Sequence, residues 1–333
     1  MLPEALERAV FGMYATHALH LADTHGVLRF LLGRDGTSAA EMAAALDLDE
    51  ETLTRLLIAL DALALVESTP SGYRLPDSMA PFVDPASPRH IGGFVHHLVH
   101  GAAARMPVLD DYLRRGKAAV DAALPPPFDT IYATEQSTAA FLHAMWQLSF
   151  SVSGELAALA GLEETTHLID VGGAGGAFAV AALERAPHLR ATVYDLPQVE
   201  PHLAATVAER GLGERLGFVA GDFLRDDQLP AGDCFAFGYI LSDWTDETCL
   251  ALLSKAYRAC SPGGRVLVME RLFDEDRRGP LATAVMNLSM HVETQGRHRT
   301  AAEYTGLLAR AGWTDSRVAR SSQDKHLVVA HKP

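Results

Sequence analysis

The feature that most restricts this chain is the run His167-Leu168-Ile169-Asp170-Val171-Gly172-Gly173-Ala174-Gly175-Gly176. Its apolar first half reads as a buried strand. Four glycines among the next five residues let the backbone turn sharply, and they leave no Cβ between its amides and an approaching group. Residues 176–185 then read as a helix. A strand that feeds a helix through a glycine turn opens a parallel α/β unit, since a parallel neighbour needs a crossover and a helix supplies it.

The pattern repeats. Strands are predicted over 191–194, 216–220, 234–240 and 265–270, with helices over 199–210, 245–259 and 301–311 and two strands at the end of the chain. A helix carrying Phe141, Met145 and Leu148 precedes them from about Ser137. The expected fold is α/β, a Rossmann-like domain with a mainly parallel sheet and helices on both faces, over residues 137–333.

Residues 1–115 have another texture. Leu6, Val10, Tyr14, Ala18 and Leu21 recur at helical spacing, and Met13 and Leu28 widen that face toward another subunit or domain. Ser38 and Glu41 form a capping box ahead of a short helix. A longer helix carries Leu53, Leu56, Leu57, Leu60 and Leu63, and a Pro-Ser-Gly turn at 70–72 joins two short strands. Helices followed by such a wing make a winged helix. Residues 116–136, with Pro125-Pro126-Pro127, read as a linker.

A winged helix raises the possibility of a DNA-binding regulator. The reading helix would begin at Asp49-Glu50-Glu51, where a DNA reader carries Arg, Lys, Asn or Gln. The formal net charge is −14 and the basic residues are scattered, so nucleic acid is not the expected partner. No apolar run reaches the roughly 20 residues of a membrane helix, and residues 1–8 do not read as a signal peptide. Cys234, Cys249 and Cys260 form no Cys-x-x-Cys pair, which suggests reduced thiols and a cytoplasmic location.

Ligands of an open α/β sheet bind beyond the carboxyl ends of its strands. Asp195 ends the second strand, 25 residues after Asp170, where a carboxylate can accept both hydroxyls of a ribose. Asp222-Phe223 follows the third strand, with a carboxylate for an adenine amino group and a ring to pack on the base. The phosphate-binding spacing G-x-G-x-x-G is not completed, so the set fits adenosine without a pyrophosphate.

At this point a resemblance becomes specific. Val171-Gly172-Gly173-Ala174-Gly175, Tyr194-Asp195-Leu196-Pro197, Gly221-Asp222-Phe223, Ile240-Leu241-Ser242-Asp243-Trp244, Ser261-Pro262-Gly263-Gly264-Arg265 and Gly296-Arg297-His298-Arg299-Thr300 run in order. Together they resemble the plant-type and bacterial small-molecule O-methyltransferases. That resemblance implies S-adenosylmethionine held by Ser149, Asp170, Gly172, Gly173, Asp195, Leu196, Asp222 and Phe223. It also implies a homodimer built on the winged-helix region and a small-molecule acceptor from a natural-product pathway. Many plant members carry a lysine where this chain has Gly238, so that contact is expected to be missing.

The acceptor side departs from the pattern. The family's general base is the histidine of a His-Asp-Trp motif, and this chain has Ser242-Asp243-Trp244. A serine hydroxyl is too weak a base at pH 7 to replace it. Glu270 matches the family's first supporting acid, whereas His298 stands at the second. Three accounts follow. His298 or Asp243 takes the proton in an O-methyl transfer. Alternatively, the acceptor is acidic enough for proximity to suffice. In the third, His291, His298 and Asp243 hold a divalent metal that chelates an α-keto acid for C-methylation, as in one branch of the family. That account needs residues 291–298 to be helical, so that the two histidines share a face. The aromatic content of 7% favours a small or aliphatic acceptor, covered by helices from the 91–106 region.

Overall fold

The computed structural model describes residues 2–123, 128 and 131–333. The chain forms two compact units, Met1–Ala104 and Arg105–Pro333.

In the first unit, helices α1 (Glu4–Thr24), α2 (Ala39–Leu46) and α3 (Glu50–Ala62) precede the hairpin β1 (Glu67–Thr69) and β2 (Gly72–Arg74). Ser38 caps α2 by accepting the Glu41 N–H, and Asp49 caps α3 by accepting that of Thr52. Leu57, Leu60, Leu28 and Met42 are fully buried in one core. Truncating any of these leucines to alanine would cost about 2–5 kcal/mol. Thr37 bridges to Tyr73 and adds a third edge to the wing. A Cβ on Gly72 would lie 2.2 Å from the Thr37 carbonyl oxygen, so this position needs glycine. The helix α4 (Gly92–His97) continues into a π turn over Leu98–Ala102. Leu6, Val10, Phe11, Met13 and Tyr14 of α1 are exposed.

The second unit begins with α5 (Val108–Arg115) and α6 (Lys117–Asp121). Tyr112 and Val120 pack on Val292, so the stretch expected to end the N-terminal domain and begin a linker belongs to the C-terminal body. Pro125-Pro126-Pro127 lies outside the described residues. The helix expected from Ser137 runs as α7 (Glu135–Ala160), because Leu156, Ala157 and Ala160 extend its buried face.

The Rossmann-like sheet follows. Its strands are β3 (His167–Val171), β4 (Arg190–Asp195), β5 (Leu216–Ala220), β6 (Gly232–Gly238), β7 (Cys260–Phe273), β8 (Arg299–Thr300), β9 (Thr314–Ala319) and β10 (Lys325–His331). The order is β5-β4-β3-β6-β7-β10-β9, with β8 on the end of β7. The strands β3 to β7 pair in parallel, and β10 pairs antiparallel with both β7 and β9. Helices α8 (Ala177–Arg185), α9 (Glu200–Arg210), α10 (Asp246–Ala259), α11 (Leu281–Glu293) and α12 (Ala301–Arg310) complete the unit. Two apolar cores form, one with Phe178, Leu183 and Leu267 and the other with Phe235, Phe237 and Trp313. The chain leaves β3 toward β4 on one side, while β6 and β7 extend the sheet on the other. The crevice at the carboxyl ends of β3 and β6 is therefore the switch point. Among the described residues no helix is long and apolar enough to cross a membrane.

Candidate functional site

The glycine turn sits in that crevice. Gly172 has φ +67° and donates its N–H to the Tyr194 carbonyl at 2.8 Å, which fastens the turn to β4. A Cβ on Gly172 would stand 2.4 Å from Ile240 Cδ1 and 3.4 Å from Phe223 Cε1. The wall opposite the turn is therefore Ile240 and the Phe223 ring, and the first of these is not among the residues expected to hold the cofactor. Asp195 is buried at the end of β4 and faces the turn. Its Oδ2 accepts the Ala174 N–H at 2.9 Å and its Oδ1 accepts the Leu196 N–H at 2.7 Å. Each oxygen keeps a lone pair for a hydroxyl. Burial raises the Asp195 carboxyl to about 6, against the pull of those two amides, so it is ionised at neutral pH.

Asp170 lies beneath the turn and accepts the Ala179 N–H at 3.2 Å, while Gly173 stacks directly on its carboxyl. Burial pushes Asp170 up to about 7, opposed first by the charge of Lys325. Asp222 uses its carboxylate locally, accepting the Leu224 N–H at 2.9 Å and meeting Arg225 at 3.3 Å.

Lys325 enters from β10, 87 residues beyond Gly238 in sequence. Its Nζ lies 3.2 Å from where a Gly238 Cβ would be and 3.4 Å from Ser149 Oγ, and sits over the Tyr239 ring at 4.0 Å. The expected gap at Gly238 is therefore filled by a lysine from another strand. Burial lowers its pKa, and Glu270 and Asp170 oppose that fall.

On the acceptor side, Ser242 and Asp243 lie on a single 3-10 turn (Leu241–Asp243) beyond β6. Glu270, fully buried on β7, accepts the Ser242 backbone N–H at 3.1 Å through Oε1, and its Oε2 has no partner. Gly296 packs against this turn so closely that a Cβ would stand 2.1 Å from the Ser242 carbonyl oxygen. Arg299, 1% exposed, donates to the carbonyls of Leu241 at 2.7 Å and Trp244 at 2.8 Å, and to Asp246. The Gly296–Thr300 stretch thus clamps the Ser-Asp-Trp turn.

Asp243 is held well above the usual carboxylate range by burial and by the like charges of Glu270 and Glu293. His298 is buried, with neither ring nitrogen partnered. Burial, with Arg271 and Arg299 nearby, pulls it down to about 4. Tyr132 was not anticipated from the sequence. Its hydroxyl is raised by burial and by the charges of Asp195 and Asp243. Phe128 stacks on Trp244 at 5.6 Å, and Phe223 meets the same ring edge-on at 6.1 Å. Few aromatic residues are present, but several gather here.

The metal set His291, His298 and Asp243 does not assemble. The helix α11 ends at Glu293, and Thr294 is extended, so residues 291–298 are not helical and the two histidines share no face. His291 lies instead against the Tyr112 ring at 5.4 Å, and Lys117 donates to its carbonyl at 2.8 Å. His291 also lines a cavity of about 450 Å³ with Lys117, Asn287 and Arg297, and His298 is not part of that lining. Among the described residues, one group of three or more metal-ligand side chains comes within 4.8 Å, and it is His20, His96 and His100.

A glycine turn at the switch point, an acid ending the next strand and a ring facing the turn fit an adenosyl group, and they define a Rossmann-like adenosyl-binding domain. Comparison with known proteins narrows the class. The O-methyltransferase domain matches residues 108–314. A 3-hydroxy-5-methyl-1-naphthoate 3-O-methyltransferase of Streptomyces sahachiroi is 31% identical over 96% of this chain and 91% of its own length. Bovine acetylserotonin O-methyltransferase is 38% identical over 62% of this chain, but the match spans only 59% of that protein. The crystal structure of human N-acetylserotonin methyltransferase in complex with SAM superposes with a TM-score of 0.88 at 28% identity, covering 99% of this chain and 98% of that one. The chain belongs to the family of S-adenosylmethionine-dependent O-methyltransferases.

Proposed function

We propose that this protein methylates a hydroxyl or enol oxygen of a small, planar acceptor, with Asp243 taking the proton. When bound, S-adenosylmethionine supplies a methyl group on a sulfonium, ready for in-line displacement. Gly172, Asp195, Leu196, Ile240 and Phe223 would hold its adenosyl portion. Asp222 contributes mainly by shaping the loop, since its carboxylate already closes a turn.

The observation that carries the reading is the contrast between Asp243 and His298. A base works best when its pKa lies near the working pH. Burial and two neighbouring carboxylates raise Asp243 above the usual carboxylate range, which strengthens it as a proton acceptor. Burial beside two arginines moves His298 away from it, to about 4. Ser242 contributes its backbone N–H to Glu270, and Glu270 in turn fixes the turn that carries Asp243. Tyr132 and the rings of Phe128 and Trp244 support a flat acceptor beside that carboxyl. The exposed apolar stripe of α1 supports a homodimer.

The test is turnover on a panel of hydroxynaphthoates and hydroxyindoles, scored by S-adenosylhomocysteine release. Asp243→Asn should lower kcat by about 10²–10⁴, the range for a general base, with cofactor affinity unchanged. Wild-type-like kcat in Asp243→Asn, alongside a collapse in His298→Gln, would transfer the role to His298.

A further inference from the structure

The N-terminal unit holds a cluster that methyl transfer does not use. His20 lies on α1 and is 9% exposed. His96 is on α4, and His100 is in the π turn that follows it. The ring centroids are 4.4 Å apart for His96 and His100, 4.9 Å for His20 and His100, and 5.5 Å for His20 and His96. One ligand nitrogen from each ring lies within 4.8 Å of the other two.

We propose that His20, His96 and His100 form a binding site for a divalent first-row transition metal, zinc in the first instance, which fastens α1 to α4. Three imidazoles crowded together repel one another once protonated, and a shared metal is the arrangement that turns this crowding into attraction. Imidazole nitrogen suits zinc, nickel and copper, and three histidines with one open position are a familiar zinc set. Two nitrogens each about 2.05 Å from a tetrahedral zinc are about 3.3 Å apart. His20 Nε2 and His100 Nε2 are 3.1 Å apart, which already approximates one edge of that tetrahedron.

The local sequence supplies the rest. His96 and His100 are four residues apart on one continuous helical stretch, a spacing that puts two imidazoles on one face. A π turn is a local departure from regular helix that recurs at functional sites. The other nitrogen of His20 faces Thr24 Oγ1 at 3.5 Å, a neighbour that fixes the ring and leaves Nε2 directed at the cluster. His96 and His100 are exposed, so a metal can enter and solvent can complete its coordination. Without metal, His20 and His100 share a single N–H···N hydrogen bond.

The experiment uses the full chain without an affinity tag, stripped with chelator and then titrated with Co²⁺ and, separately, Zn²⁺. Cobalt reports coordination through its visible absorption, and calorimetry reports zinc stoichiometry. The expected result is one equivalent per chain, a tetrahedral-type cobalt spectrum and a rise in melting temperature with zinc. Both effects should disappear in His100→Ala and in His20→Gln, and both should persist in His188→Ala, an exposed histidine of the other unit. Because His100 is exposed, its alanine variant should fold, and circular dichroism checks this. Absence of uptake by the wild type, or uptake equal in wild type and His100→Ala, would overturn the site. Methyl-transfer activity plays no part in this readout.

Discussion

Replacing Lys325 by methionine tests how the cofactor half is balanced. Methionine keeps the length of the side chain and removes the charge. In the wild type, Asp170 carries a pKa raised from 3.8 to about 7 by burial. A raised acid means that the folded chain keeps a proton which the unfolded chain has released. Stability is therefore full below pH 3.8 and falls as pH climbs toward 7. The three-unit span corresponds to about 4 kcal/mol by pH 8. Lys325 limits that loss, since its charge is the largest influence holding Asp170 down and also lowers Glu270. Lys325 itself is lowered to about 8, so it carries most of its charge up to about pH 7.5. Without that charge both carboxyls rise, and a tenfold gain in proton affinity at each costs about 1.5 kcal/mol in all between about pH 5 and about pH 7.5. Near pH 5 both groups are protonated in either protein, and the variant is relieved of a buried ammonium. Scanning calorimetry should then show the variant's melting temperature falling by about 3–6 °C relative to wild type between about pH 5 and about pH 7.5, taking 2–4 °C per kcal/mol for a unit of this size. At about pH 5 it should be level with wild type or above it. An equal deficit at both pH values would show that Lys325 matters through packing alone, and the electrostatic reasoning would fail.

Two other perturbations address the site's frame. Gly172→Val adds side-chain atoms where Ile240 Cδ1 would be 2.4 Å from the new Cβ, at a φ of +67° that β-branched residues avoid. Calorimetry should find S-adenosylmethionine binding lost, and wild-type affinity would refute this placement of the cofactor. Arg299→Met removes the buried guanidinium that joins the carbonyls of Leu241 and Trp244 to Asp246, and should cost about 1–3 kcal/mol of stability by denaturant titration, the scale of buried acceptors left short of a donor. A loss below about 1 kcal/mol, the scale of an exposed pair, would show that the clamp is not needed.

The sheet was legible because its strands are short apolar runs bounded by turn residues, and because Asp195 and Asp222 stand at strand ends where loops begin. Element ends were less so. The helix α7 continues to Ala160 because its last turns are alanine and leucine, which fit either helix or connection until a core packs against them. Lys325 was illegible in a stronger sense. Sequence shows a lysine before an apolar strand, and only the antiparallel insertion of β10 beside β7 brings it under Gly238. The metal reading at His291 and His298 failed on one backbone feature, the extended Thr294 that ends α11. The histidines that do converge, His20 with His96 and His100, are separated by 76 residues of chain, and spacing rules reach only the second pair.

Ser242 gains a different meaning from this geometry. In the sequence it is a missing base. In the structure its side chain is 1% exposed, and its backbone N–H is what engages Glu270, so the supporting acid is retained without the histidine it would support. Glu270 therefore acts on its neighbourhood in two ways. Its Oε1 fixes the turn, and its charge, together with Glu293, makes ionisation of Asp243 less favourable. A carboxyl one residue along thus binds a proton more tightly than an ordinary carboxylate does. The arrangement requires that the turn cannot relax away from Glu270, and Gly296 and Arg299 enforce this from the other side by contact and by hydrogen bonds to carbonyls. Glu270 is thereby an electrostatic neighbour of Asp243, and the clamp keeps the turn in place beside it.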